Sequence, residues 1–173
     1  LDALELRLRN AAETGDVTAH GFKYISCGLK ECLQQTAAAI DWQGKRGRKN
    51  IHRGVGISAT SHVCGNRSFF PLFDGATAYA RVDEGGKVKI LTGEVEVGQG
   101  LLTTYAAICA EEMGISLSEV TVEPTDTDIA PFGLGTWGDR GTFIGGSAVK
   151  LAAADAKKQI LEMGAEMLEA NPS

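Results

Sequence analysis

The sequence has 173 residues, of which 43% are hydrophobic, and a formal net charge of −5. This length suits a single domain with a sizeable core, and a domain with two lobes is the alternative. The negative charge gives no electrostatic support for binding nucleic acid or an anionic membrane surface. No window approaches the roughly 20 apolar residues that span a bilayer.

The first 50 residues predict a helical arm followed by a basic connector. Leucine, alanine, glutamate and arginine favour a helix over residues 2–12. After a loop at residues 11–25, apolar residues at steps of three and four predict a second helix over residues 28–42. The connector at 43–52 carries a short basic run, which we interpret as a solvated loop, with a phosphate or partner contact as the alternative.

The rest of the chain, residues 51–173, predicts an α+β domain. Strands are predicted at residues 53–62, 76–82, 87–92 and 120–123. The turn between the second and third strands contains two glycines, as a hairpin requires. Apolar helices are predicted over residues 101–113, ending at Gly114, and over residues 144–170. We expect a mostly antiparallel sheet with helices packed on one side.

A first glycine loop (residues 93–100) leads into the helix predicted at 101–113. Its residues 93–97 alternate as in a strand. It ends in Gly98-Gln99-Gly100. The N–H groups at a helix start attract anions, and glycine lets a ligand approach the backbone closely. The amide of Gln99 both donates and accepts hydrogen bonds. The loop predicts a ligand with phosphate and hydrogen-bonding ring edges, and a purely structural glycine turn is the alternative.

A second glycine loop (residues 130–142), with the sequence "APFGLGTWGDRGT", leads into the last helix. Such a loop offers backbone donors at a helix start, so the two loops together predict a grip on one extended anionic ligand. The alternative is a turn that lets helix and sheet pack closely. Arg140 is predicted either to bind phosphate or to pair with Asp139 or Asp126.

Other candidate residues have weaker patterns. Glu94 and Glu96 share a face if their segment is a strand, so one is a candidate acid–base residue of a hydrolase, with a solvated strand face as the alternative. The pair Asp126 and Asp128 lacks the further ligands of a calcium site. The four cysteines match neither a zinc pattern nor a disulfide framework, which indicates reduced thiols in the cytoplasm.

The order of the segments "GEVEVGQGLLTTYAAICAEEMGI" and "VTVEPTDTDIAPFGLGTWGDRGTFIGGSAV" resembles the molybdopterin-binding subunit of the xanthine oxidase family of molybdenum hydroxylases. The resemblance extends to "LELRLRNAAETGD", "CGLKECLQQTAAAIDW" and "RGVGISATSH", and so covers nearly the whole chain. It is strongest to the 4-hydroxybenzoyl-CoA reductase and carbon-monoxide dehydrogenase branches.

The resemblance implies a molybdenum–molybdopterin cofactor, in bacterial members usually a cytosine dinucleotide. The residues it places at the cofactor are Gly98, Gln99, Gly100, Thr103, Thr136, Trp137, Gly138, Asp139, Arg140, Gly141 and Thr142. The backbone of Gly138 would lie near the metal. Asp139 stands where the family commonly has a small hydroxyl residue, and its carboxylate would repel a nearby phosphate unless Arg140 neutralises it.

The resemblance also implies partners. Iron–sulfur clusters and FAD would lie on other domains or subunits, and the family's catalytic glutamate would lie outside these residues. We therefore expect an internal fragment, inactive alone, of a cytoplasmic oxidoreductase. Its substrate would be an aldehyde, an N-heterocycle or similar, or an aromatic CoA thioester that is reduced. A non-catalytic anion-binding or subunit-assembly module is the alternative. Apolar faces of the helix at 101–113 and of the first helix are expected to be bare and to cause self-association.

Overall fold

A computed structural model describes residues 2–48, 52–62, 64–65 and 73–171. The chain divides into two compact units, Leu1–Ser61 and His62–Ser173. Within the described ranges, no helix combines the length and the apolar character needed to cross a membrane.

The first unit contains three helices, α1 (Ala3–Asn10), α2 (Leu29–Ala39) and α3 (Trp42–Lys45). The helix predicted over residues 28–42 is interrupted because Asp41 adopts a left-handed conformation, with φ of 52°. The carboxylate of Asp41 then accepts a hydrogen bond from the N–H of Gly44 at 3.2 Å and so starts α3.

The prediction of a strand over residues 53–62 is wrong. No strand is assigned to this described segment, and its side chains are exposed except for that of Ile57. Alternation alone does not make a strand, because the backbone needs a partner strand for its hydrogen bonds. Ile57 instead joins Leu33, Ala37 and Trp42 in a small apolar cluster.

The second unit contains a three-stranded sheet in the order β1 (Ala78–Val82), β2 (Val88–Thr92) and β3 (Val120–Val122). The first two strands form the predicted antiparallel hairpin. The second and third strands are parallel, so the expectation of a mostly antiparallel sheet is corrected to a mixed one. The reason is the helix between them, since a helical crossover returns the chain in its original direction. The α+β class is confirmed.

Two helices pack with this sheet, α4 (Leu101–Met113) and α5 (Gly146–Leu168). A single wide turn of π-helix at Gly141–Gly145 precedes α5. The core consists of side chains from β2, β3 and both helices: Val88, Ile90, Leu101, Tyr105, Ala106, Cys109, Ala110, Val120, Val149 and Ala153. As predicted, α4 ends at Gly114, which is left-handed.

Candidate functional site

The first glycine loop is closed by the side chain of Gln99. Its Oε1 accepts a hydrogen bond from the N–H of Val97 at 2.7 Å, and its Nε2 donates to the carbonyl of Val95 at 2.9 Å. Residues 93–97 are therefore a loop and not the strand that their alternation suggested. Gly98 and Gly100 have φ of 109° and 80°, and a Cβ added at either would meet no atom within 4 Å. The glycine backbone is open to a ligand.

The anion at the start of α4 is the carboxylate of Glu96. It accepts hydrogen bonds from the N–H groups of Gly98 at 2.7 Å, Gly100 at 3.1 Å and Leu102 at 3.2 Å. Desolvation opposes ionisation of Glu96, but the N–H groups of Gly100 and Gly98 outweigh it and lower the pKa of the carboxyl. Glu96 is thus not part of a solvated strand face but a cap of α4. In this conformation it also fills the position where the sequence predicted a ligand phosphate.

The second glycine loop has an unusual backbone where it turns into the helix. Gly138 and Asp139 both lie in the left-handed region, with φ of 56° and 57°. Aspartate tolerates this region better than most residues, although it remains costly there. The carboxylate of Asp139 accepts a hydrogen bond from Cys64 Sγ at 3.0 Å, and the carbonyl of Gly138 accepts one from the N–H of Gly65 at 2.5 Å. Residues 64–65 therefore hold this turn from outside the loop.

The two glycine loops lie side by side. Thr136 Oγ1 donates to the carbonyl of Val95 at 2.7 Å and accepts from its N–H at 2.8 Å. A Cβ added at Gly93 would lie 2.5 Å from the nitrogen of Gly133, so only glycine allows this approach. The hydroxyl of Tyr105 on α4 donates to the carbonyl of Gly141 at 2.9 Å. The structure thus brings together the two segments that the sequence singled out separately.

Arg140 and Glu94 form a buried ion pair between the loops. Arg140 Nη1 donates to both carboxylate oxygens of Glu94, at 2.8 and 3.0 Å, and Arg140 Nε donates to Asp74 at 2.9 Å. Glu94 is fully buried, so the interpretation as a solvated strand residue is wrong. Burial raises the pKa of Glu94, and Arg140 offsets only part of the rise. The predicted partners of Arg140, Asp139 and Asp126, are also wrong.

The guanidinium of Arg140 faces these internal acceptors and its side chain is 0% exposed. It therefore presents no surface to a phosphate in this conformation, which corrects the first of the two predicted roles for Arg140. Asp126 instead closes its own turn by accepting a hydrogen bond from the N–H of Asp128 at 2.9 Å.

Comparison with known families shows which family the chain belongs to. Residues 30–173 match the model of the molybdopterin cofactor-binding domain. The chain belongs to this family. Among its curated relatives is the putative xanthine dehydrogenase molybdenum-binding subunit of Escherichia coli K12, which is 32% identical over 97% of this chain. The carbon monoxide dehydrogenase large chain of Hydrogenophaga pseudoflava is 30% identical over 99%. The chain spans 23% of the length of each of these relatives.

Solved structures share the fold of this chain. A reconstituted CO dehydrogenase from Oligotropha carboxidovorans matches with a TM-score of 0.60 and 26% identity, over 99% of this chain and 24% of that one. Quinoline 2-oxidoreductase from Pseudomonas putida 86 has the same fold over 99% of this chain and 24% of its own, with a TM-score of 0.62 and 24% identity.

The remaining predicted site residues of this molybdopterin cofactor-binding domain are near the surface. Thr103 on α4 and Thr142 at the start of the wide turn are exposed. Trp137 Nε1 donates to the carbonyl of Leu134 at 3.2 Å, so its indole folds back onto its own loop. No group of three or more histidine, cysteine, aspartate or glutamate side chains among the described residues could hold a metal ion.

Asp74 and Tyr105 escaped the sequence analysis, and Glu94 and Glu96 were named there for an acid–base role but not for the contacts that they make in the loop region. For Glu96 a signal was available, because an acidic residue shortly before a predicted helix is typical of a cap. No comparable signal marked Asp74 or Glu94. Their partner, Arg140, is 66 and 46 residues away in the sequence.

Proposed function

We propose that this domain holds the pterin of a molybdenum cofactor against its two glycine loops, as part of a molybdenum-dependent oxidoreductase. The observation that carries the proposal is the pair of hydrogen bonds between Thr136 and Val95. These bonds join two loops with open glycine backbone in a chain of the molybdopterin cofactor-binding family.

The residues of the loops fit the hydrogen-bonding part of such a cofactor. A Cβ added at Gly98, Gly100 or Gly135 would meet nothing within 4 Å, so a flat ring system has room to approach the backbone. The exposed Gln99 and Thr103 offer donors and acceptors beside that opening. The N–H groups of Gly98 and Gly100 already donate to Glu96. The donors and acceptors for the edges of a pterin are therefore the second N–H and the remaining lone pair of the Gln99 amide and the hydroxyl of Thr103.

The same loops are a poor site for phosphate groups. Four carboxylates belong to the loop region, those of Asp74, Glu94, Glu96 and Asp139. The buried Arg140 pairs with two of them, Asp74 and Glu94, while Glu96 accepts from backbone N–H groups and Asp139 from Cys64. Like charges repel in a partly desolvated site. The cofactor's phosphates are therefore proposed to bind outside the first glycine loop, which revises the sequence-based expectation of a phosphate at the start of α4.

In this proposal the bound cofactor supplies the redox chemistry and the domain supplies position. The metal end of the cofactor is proposed to lie beside the left-handed turn at Gly138 and Asp139, where Gly138 is buried, with its carbonyl bonded to Gly65, and Asp139 is exposed. Thr142 would add a hydroxyl at the start of the wide turn. The general base and the substrate pocket are proposed to lie elsewhere in the enzyme.

Finer assignments belong to the same proposal. We infer a cytosine dinucleotide form of the cofactor, iron–sulfur and FAD partners, a cytoplasmic location and a functional boundary near residue 50. Support for partners comes from a relative named as subunit gamma of the 6-hydroxypseudooxynicotine dehydrogenase complex of Paenarthrobacter nicotinovorans. That relative is 32% identical over 92% of this chain and 19% of its own length. The substrate would be an aldehyde, an N-heterocycle or similar, or an aromatic CoA thioester.

The test is to express the complete product of the natural gene in a host that makes the cofactor. Molybdenum is measured by mass spectrometry and pterin by fluorescence after oxidation, and we expect equimolar amounts. Nucleotide released by hydrolysis should be cytidine monophosphate. Thr136→Ala should lower both contents, because it separates the loops. Thr121→Ala, the same change at an exposed position on β3, should leave them unchanged. A folded protein without molybdenum or pterin would instead favour the subunit-assembly module.

A further inference from the structure

Arg140 is the largest of the fully buried side chains in the described part of the molecule. A buried arginine is uncommon unless its charge is paired, because removing a cation from water is costly. Its position two residues after Gly138 puts it inside the proposed cofactor site. The contacts of Arg140 therefore indicate how the site is built.

The guanidinium joins three separate stretches of chain. Besides Glu94 and Asp74, it reaches two backbone carbonyls: Nη1 donates to Gly135 at 2.6 Å and Nη2 to Gly75 at 2.6 Å. The stretches are the segment before β1, the first glycine loop and the second glycine loop. A planar fork of donors fixes the relative position of such acceptors in a way that a lysine cannot.

Stability alone is a weak explanation for this network. The desolvation of buried charges offsets much of their attraction, and apolar side chains of similar volume often hold a core equally well. The network does provide a fixed geometry between segments that are distant in the sequence. Glu94 lies four residues before Gly98, so Arg140 ties together the two open glycine segments.

We propose that Glu94, Arg140 and Asp74 form a positioning network that holds the two glycine loops at the separation the cofactor requires. The proposal rests on the proposed function. It replaces a direct phosphate contact for Arg140 and assigns roles to Glu94 and Asp74. Arg140 acts through the loops and does not touch the cofactor through its guanidinium.

The network predicts a specific effect of Arg140→Lys. The variant keeps the positive charge but loses the planar set of guanidinium donors. The loops therefore keep their fold, but the spacing between them is no longer fixed. We expect pterin to leave the protein at least about tenfold faster, as is typical when groups that orient a ligand's contacts are changed. The rate is measured by pterin fluorescence after dilution of the purified complete protein, together with its Tm.

The matched control is Ile90→Val, which removes one methylene from a fully buried side chain of β2. It lowers Tm without touching the network. In a double-mutant cycle, Glu94→Gln combined with Arg140→Lys should release pterin no faster than Arg140→Lys alone, because both changes disable one unit.

The outcomes separate this inference from the proposed function. Faster release from Arg140→Lys than from Ile90→Val at an equal loss of Tm supports the network. Equal release rates at equal Tm overturn it, while the wild-type protein still carries the cofactor. Additive effects of Glu94→Gln and Arg140→Lys also overturn it. A wild-type protein without pterin overturns the proposed function, and the inference with it.

Discussion

The carboxylate of Glu96 occupies the amino end of α4, where a ligand's anion was expected from the sequence. Three backbone N–H groups donate to it, and those of Gly100 and Leu102 would otherwise lack a partner at the helix start. An internal anion at this position stabilises the helix through its dipole. The first glycine loop is thus completed by the protein itself, which leaves open space beside Gly98 and Gly100 for uncharged groups.

This arrangement predicts how Glu96→Gln changes stability with pH. The pKa of Glu96 is lowered in the folded protein, so the carboxylate stabilises the fold above its ordinary pKa, near 4.5. That stabilisation is lost as the pH falls through the lower, folded-state pKa. We expect a reduced urea midpoint for Glu96→Gln at pH 7, and a gap to wild type that closes as the pH falls below 4.5.

The control for this prediction is Glu111→Gln, which removes the same charge from the exposed side of the last turns of α4. A negative charge near the carboxyl end of a helix opposes the helix dipole, so this variant should be at least as stable as wild type at pH 7. If both variants lose the same stability at every pH, Glu96 does not act as a cap.

At the scale of elements, glycines at the start of α5 allow it to pack closely against α4. A Cβ added at Gly145 would overlap the hydroxyl of Tyr105 and lie 2.9 Å from Cγ of Glu94. One at Gly146 would lie 2.8 Å from the side chain of Ile108. The wide turn before α5 therefore packs against α4 through bare backbone, and the second glycine loop is set by this contact.

Two glycine-to-alanine variants test this packing. Gly145→Ala should lower the free energy of unfolding by about 1–3 kcal/mol or more, because the core around Tyr105 is overpacked. Gly164→Ala changes a residue of α5, the helix that follows the wide turn, where an added Cβ would meet nothing within 4 Å. It should raise the stability by up to about 1 kcal/mol, as alanine favours helix over glycine. Urea unfolding measures both.

Tyr105→Phe should be less harmful in the Gly145→Ala background than alone, since it removes the overlapping hydroxyl. The lone Tyr105→Phe variant loses its hydrogen bond to Gly141. If Tyr105→Phe lowers the free energy of unfolding by the same amount with and without Gly145→Ala, a Cβ at position 145 does not overlap the tyrosine hydroxyl. The close approach at Gly145 is then not required.

Elements with a local signal could be predicted from the sequence. The β1–β2 hairpin has its turn glycines, and α4 has a continuous apolar period and a terminal glycine. The wide turn at Gly141–Gly145 could not, because it depends on contacts with Tyr105 and Glu94, which are distant in the sequence. The break at Asp41 rests on a local contact, the hydrogen bond from the N–H of Gly44, which an apolar period does not encode. Both glycine loops were found as candidates because their glycines mark them locally. The buried partners of Arg140 were missed because they are distant from it in the sequence.

At the scale of the whole molecule, the exposed apolar surface is not where the sequence suggested. The inner face of α4 is core, with Tyr105 and Cys109 fully buried, so the expectation of a bare face there is wrong. On α1, Leu4 and Leu8 pack against the cluster of the first unit, and Leu6 remains 48% exposed.

The second half of α5 carries a larger set of exposed apolar side chains: Ile160, Leu161, Met163, Met167 and Leu168. Met167 is 82% exposed. This part of the helix extends the apolar face beyond the buried Val149 and Ala153. Contiguous apolar surface of this kind favours association between protein molecules.

We therefore expect the 173-residue chain to self-associate with rising concentration through the end of α5. Light scattering across a concentration series should show an average mass above that of a monomer. The combined change Met163→Lys and Met167→Lys should restore the monomer, because two charges on this face repel their copies in a dimer. Leu6→Lys, a matched apolar-to-lysine change on α1, should leave the association as it is. If Leu6→Lys is the variant that yields the monomer, the contact lies on α1 and not on α5.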